Sequence, residues 1–123
     1  MISKEDFTKL HLEISPYLHR TPVLTSDLLN KLAETEIFFK CENFQKMGAF
    51  KMRGATAAIL ALSEKERAKG VVTHSSGNFA QAVSLSAKNL GIPAYIVMPS
   101  SAPQVKKDAV KTYGGQITEC EPN

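Results

Sequence analysis

The chain has 123 residues, of which 43% are hydrophobic and 22% charged, and its formal net charge is +3. This composition suits one ordinary globular domain, and the scattered lysines, with no basic run and no interleaved aromatic residues, argue against nucleic acid as a partner. No segment approaches the roughly 20 apolar residues of a membrane span, and acidic residues lie close to Met1, where a signal peptide would be apolar. We therefore expect a cytoplasmic protein without a membrane partner.

The N-terminal part is predicted from start and stop signals. The segment 3–6 (SKED) has the form of a helix start, and that helix should end before Pro16. The segment 37–41 (IFFKC), which is bounded by polar residues, predicts the first strand. Residues 55–62 are apolar on every side, which predicts a buried helix that begins near Lys51. The segment 63–66 (SEKE) then matches a capping box for a short helix that Gly70 ends.

From Gly70 onward, strands and helices alternate, which predicts an α/β fold with parallel βαβ units. The β-branched runs at 71–72 and 94–98 are typical of strands whose sheet is covered on both faces. A helix over 78–90 separates them, and Pro103 opens the next helix. On that last helix we expect the lysines to form a solvated face: Lys106, Lys107 and Lys111.

Cys41 and Cys120 have neither paired spacing nor histidine partners, so we expect no metal site.

Lys51 is the first candidate for chemistry, because small residues and two glycines surround it at the start of an apolar helix. A lysine amine loses its proton more readily when it is desolvated, beside another cation or at a helix N-terminus, and it then becomes a nucleophile. Arg53 either supplies that cation or braces the loop. The alternative for Lys51 itself is a surface lysine whose stem packs against Phe50.

The second candidate is the segment 74–78 (HSSGN), which lies between a predicted strand and a predicted helix. Ligands of open α/β sheets bind beyond the carboxyl ends of the strands, and free N–H groups at a helix N-terminus bind carboxylates or phosphates. Gly77 would let the backbone approach such a ligand closely. The alternative is an ordinary N-cap, since serine and asparagine are preferred there.

Together these segments resemble the fold-type II pyridoxal-phosphate enzymes, and within them the serine/threonine dehydratase and serine racemase branch. The segments that carry the resemblance are 38–46 (FFKCENFQK), 48–55 (GAFKMRGA) and 75–78 (SSGN). The resemblance implies a tryptophan synthase beta-like, two-domain architecture of which this chain is an incomplete, N-terminal piece. Residues 1–62 would then be the N-terminal segment of the large cofactor domain, and residues 63–123 the first part of the small α/β domain.

The same resemblance implies the site. Pyridoxal 5'-phosphate would be joined covalently to Lys51, with Phe50 packed on its ring and Asn78 bonded to its 3'-oxygen. The substrate carboxylate would be held by four residues, Ser75, Ser76, Gly77 and Asn78. The implied reaction is dehydration of L-serine or L-threonine, a small-molecule amino acid, to a 2-oxo acid and ammonium. The parent enzyme is expected to be a homodimer. The glycine-rich phosphate loop and the partner of the pyridine nitrogen are expected beyond residue 123, so the fragment alone should be inactive.

Three alternatives stay open. A serine racemase needs a second acid or base on the face opposite Lys51, and Ser76 stands where racemase-type members carry a serine; its alternative role is only to contact the carboxylate. Ala49 and the pair Phe79-Ala80 depart from the racemase pattern. The second alternative is a β-replacement synthase of the same fold, and the third is a non-catalytic binding fragment. We expect His19 and His74 to have structural roles.

Overall fold

The computed structural model describes residues 3–122. Helices and strands alternate along most of this part of the chain, and the predicted α/β class is confirmed. The helices and strands, numbered in chain order, are α1 (Lys4–Ile14), β1 (Val23–Leu24), α2 (Asp27–Ala33), β2 (Phe39–Lys40), α3 (Lys51–Leu60), α4 (Glu64–Arg67), β3 (Val71–His74), α5 (Asn78–Asn89), β4 (Ala94–Pro99), α6 (Gln104–Thr112) and β5 (Gly115–Cys120).

The helix starts follow the predicted local signals. Ser3 accepts a hydrogen bond from the backbone N–H of Asp6, and the Asp6 carboxylate accepts one from the backbone N–H of Ser3, so α1 opens with a complete capping box. The helix ends at Ile14, before Pro16, as predicted. Ser63 and Glu66 form the second capping box, at the start of α4. Local sequence alone therefore sets these two boundaries.

The first strand was predicted wrongly. Only Phe39–Lys40 of the run 37–41 is a strand, and it is the second one, since β1 precedes it and pairs with it in antiparallel fashion. Strands of two residues are set by their partner and carry no periodic pattern of their own. Apolar side chains on this ribbon and on α2 are exposed among the described residues, namely Val23, Leu24, Leu28, Leu32, Phe38 and Phe39.

The main sheet has three parallel strands in the order β3-β4-β5. Right-handed crossovers between strands that follow one another in this order put α5 and α6 on the same face, and both helices pack on the strands and on each other. The opposite face is uncovered within residues 3–122, where Val72 is 71% and Tyr95 42% exposed. The expectation of a sheet covered on both faces is therefore wrong for this part of the chain.

The core lies between the sheet, α5 and α3. Met52, Ala55 and Ile59 bury one side of α3, and α3 packs against α5. The predicted buried helix thus exists, but it is not buried on every side, because Ala58 is exposed. The small side chains of α3 give it an apolar sequence, but only one of its faces lies in the core. Within residues 3–122, none of the helices has the length and hydropathy of a membrane-spanning segment.

The lysines of α6 do not form one solvated face. Lys107 is only 8% exposed, and its ammonium donates to the Ser100 carbonyl and to the Glu119 carboxylate, at 2.8 Å each. Lys106 is half-buried, whereas Lys111 is exposed as predicted. Pro103 is the N-cap residue of α6, so it lies one position before Gln104, the first helical residue.

Candidate active site

Lys51 is the first residue of α3, so it stands at the positive end of that helix. Its side chain is exposed, and its ammonium nitrogen lies 4.8 Å from the centroid of the Phe50 ring. The surface-lysine alternative placed the stem of Lys51 against Phe50, whereas the structure places the ammonium over the ring, in a cation–π arrangement. The ring of Phe50 is itself 59% exposed, so both an amine and an aromatic face are accessible at the start of α3.

The segment before Lys51 is held by a buried amide that the sequence analysis did not single out. Gln45 is 3% exposed, and its side chain accepts from the backbone N–H of His19 at 2.8 Å and donates to the His19 carbonyl at 2.9 Å. The His19 ring also bonds to the Phe44 carbonyl at 3.1 Å, which agrees with a structural role. Just beyond, Met47 and Gly48 have φ of 56° and 77°, so two left-handed residues turn the chain into α3.

Arg53 braces this segment and does not act as a free cation beside Lys51. Its guanidinium donates two hydrogen bonds of 2.8 Å to the Glu42 carboxylate, which also accepts from the Thr21 hydroxyl at 2.6 Å. The bonds from Arg53, with help from Thr21 and from the charge of Lys40, lower the pKa of Glu42 to about 2. Of the two roles left open for Arg53, the structure favours the brace, because its charge is neutralised by Glu42.

The loop between β3 and α5 lies at the carboxyl end of the parallel sheet, as predicted. His74 belongs to β3 and is not part of the loop. The backbone N–H of Ser75 donates to the Val97 carbonyl at 3.1 Å, which extends the pairing with β4 by one residue. The Ser75 hydroxyl accepts from the backbone N–H of Gly77 at 3.3 Å, so the serine folds the loop back on itself.

The N-terminus of α5 has no side-chain cap. Gly77 is the N-cap residue, and no side chain accepts a hydrogen bond from the first turn of the helix. The interpretation of this segment as an ordinary serine or asparagine cap is therefore wrong. Backbone N–H groups at the start of a helix of 12 residues are left for an external acceptor, and the helix dipole favours a negative one.

The structure brings the two candidate elements together through their helices. α3, which begins at Lys51, packs against α5, which begins at Asn78, and Met47 packs on the core cluster that includes Ala80 in the first turn of α5. Within residues 3–122, no hydrogen bond joins Lys51 to the loop 75–78. The Asn78 side chain instead accepts a bond of 3.3 Å from the ammonium of Lys106 on α6, a residue that the sequence analysis left on the solvated face.

These features suit one kind of ligand. An accessible primary amine condenses with an aldehyde, an exposed phenyl face stacks on a planar ring, and an uncapped helix start accepts a carboxylate. An added Cβ at Gly77 would meet no atom within 4 Å, so there is open space above the loop. The residues present therefore fit the aldehyde and ring of a pyridoxal-type cofactor and the carboxylate of an amino acid.

Comparison with known proteins agrees with this chemistry. Residues 14–123 match the family described as pyridoxal-phosphate dependent enzyme. The chain is 56% identical over 119 residues to the beta-hydroxyaspartate dehydratase of Paracoccus denitrificans, and 60% identical over 107 residues to the serine racemase of Arabidopsis thaliana. These alignments cover 97% and 87% of the chain but only 38% and 32% of the two relatives.

Solved structures give the same result. The serine racemase of Dictyostelium discoideum superposes with a TM-score of 0.95 at 48% identity, and a pyridoxal 5'-phosphate-dependent aspartate racemase with 0.90 at 42%. The alignments cover 99% and 98% of this chain and 40% and 38% of those proteins, so the chain spans about two fifths of their length. The family match over most of the chain shows that it belongs to the pyridoxal-phosphate dependent enzymes of fold type II, whose cofactor is pyridoxal 5'-phosphate.

Proposed function

We propose that this chain supplies the cofactor lysine and the substrate-carboxylate loop of a dehydratase that acts on small hydroxy amino acids. L-serine or L-threonine would be converted to a 2-oxo acid and ammonium. The proposal depends on one observation: α5, whose N-terminus has no side-chain cap, packs against α3, the helix that begins at Lys51. Because the chain spans less than half the length of its relatives, the activity belongs to the whole protein.

The residues of the chain divide the work between them. Lys51 holds the cofactor and, once its amine is free, its Nζ accepts the α-proton of the substrate. Phe50, whose ring is exposed, would stack on the cofactor ring, and the Asn78 amide would donate to the cofactor's 3'-oxygen. When bound, pyridoxal phosphate takes up the negative charge that the departing α-proton leaves behind.

The loop holds the other end of the substrate. The hydroxyls of Ser75 and Ser76 and the N–H groups of Gly77 and Asn78 bind the carboxylate, and the Gly77 N–H exchanges its bond to the Ser75 hydroxyl for this one. The positive end of α5 favours the negative charge. This orientation fixes the α-carbon relative to Lys51. The β-hydroxyl then leaves with a proton as water, and hydrolysis of the remaining carbon–nitrogen bond uses one water again. The overall change is one amino acid to one 2-oxo acid and one ammonia, which is protonated at neutral pH.

Names of relatives support a hydroxy amino acid as the substrate class. Besides the beta-hydroxyaspartate dehydratase, similar structures include a threonine deaminase from Solanum lycopersicum, with a TM-score of 0.83 at 32% identity, and an L-serine ammonia-lyase from Rhizomucor miehei, with 0.71 at 31%. The three names refer to hydroxyaspartate, threonine and serine, which are all amino acids with a β-hydroxyl. One name states the loss of water and two state the loss of ammonia, and the reaction proposed here includes both losses.

Serine racemase is the second candidate function. It is favoured by the serine at position 76 and by the similarity to racemases from several organisms, including those of Arabidopsis thaliana and Dictyostelium discoideum. Ser76 is exposed in the loop, where its hydroxyl would exchange a proton with the α-carbon on the face opposite Lys51. A β-replacement synthase is distinguished from both by added sulfide, which would give a new amino acid in place of a 2-oxo acid.

Borohydride trapping tests the cofactor assignment directly. The chain is mixed with pyridoxal phosphate and reduced, and the site of the adduct is located by peptide mass spectrometry. We expect the adduct on Lys51, its loss in Lys51→Ala, and its persistence in Lys65→Ala, which removes an exposed lysine of α4. An adduct on another lysine, or none, would contradict the proposal. Ammonia release from L-serine by the whole protein then tests the reaction, and we expect little from these 123 residues alone.

A further inference from the structure

We propose that Lys106 is a positioning residue that fixes the orientation of the Asn78 amide, an inference that rests on the proposed function. The ammonium of Lys106 donates a hydrogen bond of 3.3 Å to Oδ1 of Asn78. The two residues are 28 positions apart in the sequence, on neighbouring helices that pack against each other. Their contact joins the first turns of α6 and α5 beside the loop that binds the carboxylate in the proposal above.

The chemistry of the two groups sets the orientation. A lysine ammonium has three N–H donors and no acceptor, whereas a side-chain amide has a donor end and an acceptor end. Only Oδ1 of Asn78 pairs favourably with Lys106, since the flipped amide would point N–H groups at a cation. The Nδ2 group of Asn78 is consequently turned away from Lys106, where its two N–H groups can donate to a ligand.

The position of Lys106 is itself fixed by its neighbour. Lys107 is buried, and its bonds to the Ser100 carbonyl and the Glu119 carboxylate tie the start of α6 to the carboxyl end of the sheet. Lys106 takes part in neither of the two ion pairs among residues 3–122, Arg53 with Glu42 and Lys107 with Glu119. Its charge is therefore not neutralised by a carboxylate there, and it acts on Asn78.

Two effects on a ligand follow. Donation to Oδ1 polarises the amide, which strengthens the hydrogen bond that Nδ2 gives on its other side. The ammonium also adds a full positive charge next to the positive end of α5. Both effects favour an anionic oxygen as the acceptor of Asn78, such as the 3'-phenolate oxygen of a pyridoxal cofactor, over a neutral hydroxyl. Lys106 thus acts on the cofactor through Asn78, without touching the reacting atoms.

The test compares three variants of the whole protein. Lys106→Met removes the charge and keeps the length of the stem, and Lys106→Arg restores a cationic donor. Lys111→Met makes the same charge change at an exposed position of the same helix. The first measurement is the ¹⁵N–¹H spectrum of the Asn78 side-chain amide without any ligand. The second is the dissociation constant of pyridoxal phosphate, followed by absorbance and checked by the adduct on Lys51.

We expect Lys106→Met to shift the Asn78 amide resonances and to weaken pyridoxal phosphate binding about fivefold to tenfold, the usual effect of losing one ordinary hydrogen bond. Lys106→Arg should restore most of the affinity, and Lys111→Met should leave both measurements unchanged. If Lys106→Met and Lys111→Met behave alike, or if the Asn78 resonances do not move, the inference is overturned. An adduct that persists in Lys51→Ala would instead overturn the proposed function, while shifted resonances would still establish the contact between Lys106 and Asn78.

Discussion

Thr56 and Ser86 form a buried hydrogen bond that joins the helix beginning at Lys51 to the helix beginning at Asn78. Their hydroxyl oxygens are 2.9 Å apart, and the two residues are 0% and 1% exposed. The Ser86 hydroxyl also lies 3.5 Å from the sulfur of Met52. A hydroxyl pair in an apolar contact between helices specifies one arrangement of them, because any slip would leave a buried polar group unpaired.

Thr56→Val tests this pair, since it removes the hydroxyl and keeps the shape of the side chain. We expect the free energy of unfolding to fall by about 1–3 kcal/mol, because the Ser86 hydroxyl loses its buried partner. Ser86→Ala should cost a similar amount, and the double variant less than the sum of the two. Urea unfolding of the four proteins measures the coupling. Additive losses would mean that the two hydroxyls do not interact.

A second prediction concerns the close approach of β5 to its covering helices. A Cβ added at Gly115 would lie 2.7 Å from Cγ1 of Val110 and would also collide with the Ser84 hydroxyl. Ser84 has no freedom to move away, because it is fully buried and its hydroxyl donates to the Ala80 carbonyl at 2.8 Å. We expect Gly115→Ala to lower the free energy of unfolding by about 1–3 kcal/mol, as overpacked cores do.

Gly54→Ala is the matched control for that substitution. Gly54 lies in the middle of α3, and an added Cβ would meet no atom within 4 Å. Alanine is the better helix former, so this variant should raise the free energy of unfolding by about 0.5–1 kcal/mol. Thermal or urea unfolding of both variants gives the comparison. If Gly115→Ala is as stable as Gly54→Ala, β5 does not pack as closely as the structure indicates.

The third prediction is a pH dependence that arises from Glu42 and Arg53. The pKa of Glu42 falls from 4.5 to about 2 in the folded chain, first because Arg53 donates to its carboxylate. A carboxyl whose pKa is lower when folded stabilises the protein at pH values above 4.5, and that stabilisation is lost as the pH falls from there toward 2. At neutral pH, Glu42→Gln should cost about 2 kcal/mol, because Arg53 loses a charged partner.

The same variant should lose its disadvantage in acid. The difference in unfolding free energy between the wild-type chain and Glu42→Gln should shrink when urea unfolding is repeated at successively lower values between about pH 6 and about pH 3. Glu36→Gln is the control, since Glu36 is exposed, and it should change the stability by less than about 0.5 kcal/mol. A difference that stays constant with pH would exclude Glu42 as the group responsible.

How much of this was predictable from sequence depends on the range of the interactions involved. Capping boxes are local, and the predictions at Ser3 and Ser63 were confirmed. Gly70 is left-handed, with φ of 82°, but α4 ends three residues before it, at Arg67. Lys51 and the loop 75–78 lie at a helix start and between a strand and a helix, as predicted, while their catalytic roles stay predictions.

The contacts that the sequence did not predict have a different cause, because they join residues far apart in the chain. Gln45 reaches across 26 residues to His19, and Lys106 across 28 to Asn78, and no local pattern marks either residue. Arg53 was considered as a cation beside Lys51 because its partner Glu42 lies 11 residues earlier, in a different element. Charge alone placed Lys106 on a solvated face and Arg53 beside Lys51, whereas the fold gives each of these side chains a hydrogen-bond partner.

The last prediction separates dehydration from racemisation in the whole protein. Elimination of water from L-serine needs one base, the role proposed above for Lys51, whereas racemisation needs a second proton carrier on the opposite face of the α-carbon. Ser76→Ala should thus leave ammonia release from L-serine largely intact and lower D-serine formation about 100-fold. Ser75→Ala is the matched control: it removes the hydroxyl that holds the Gly77 N–H, so it should lower both activities alike. Equal losses in Ser76→Ala would reduce Ser76 to a carboxylate contact.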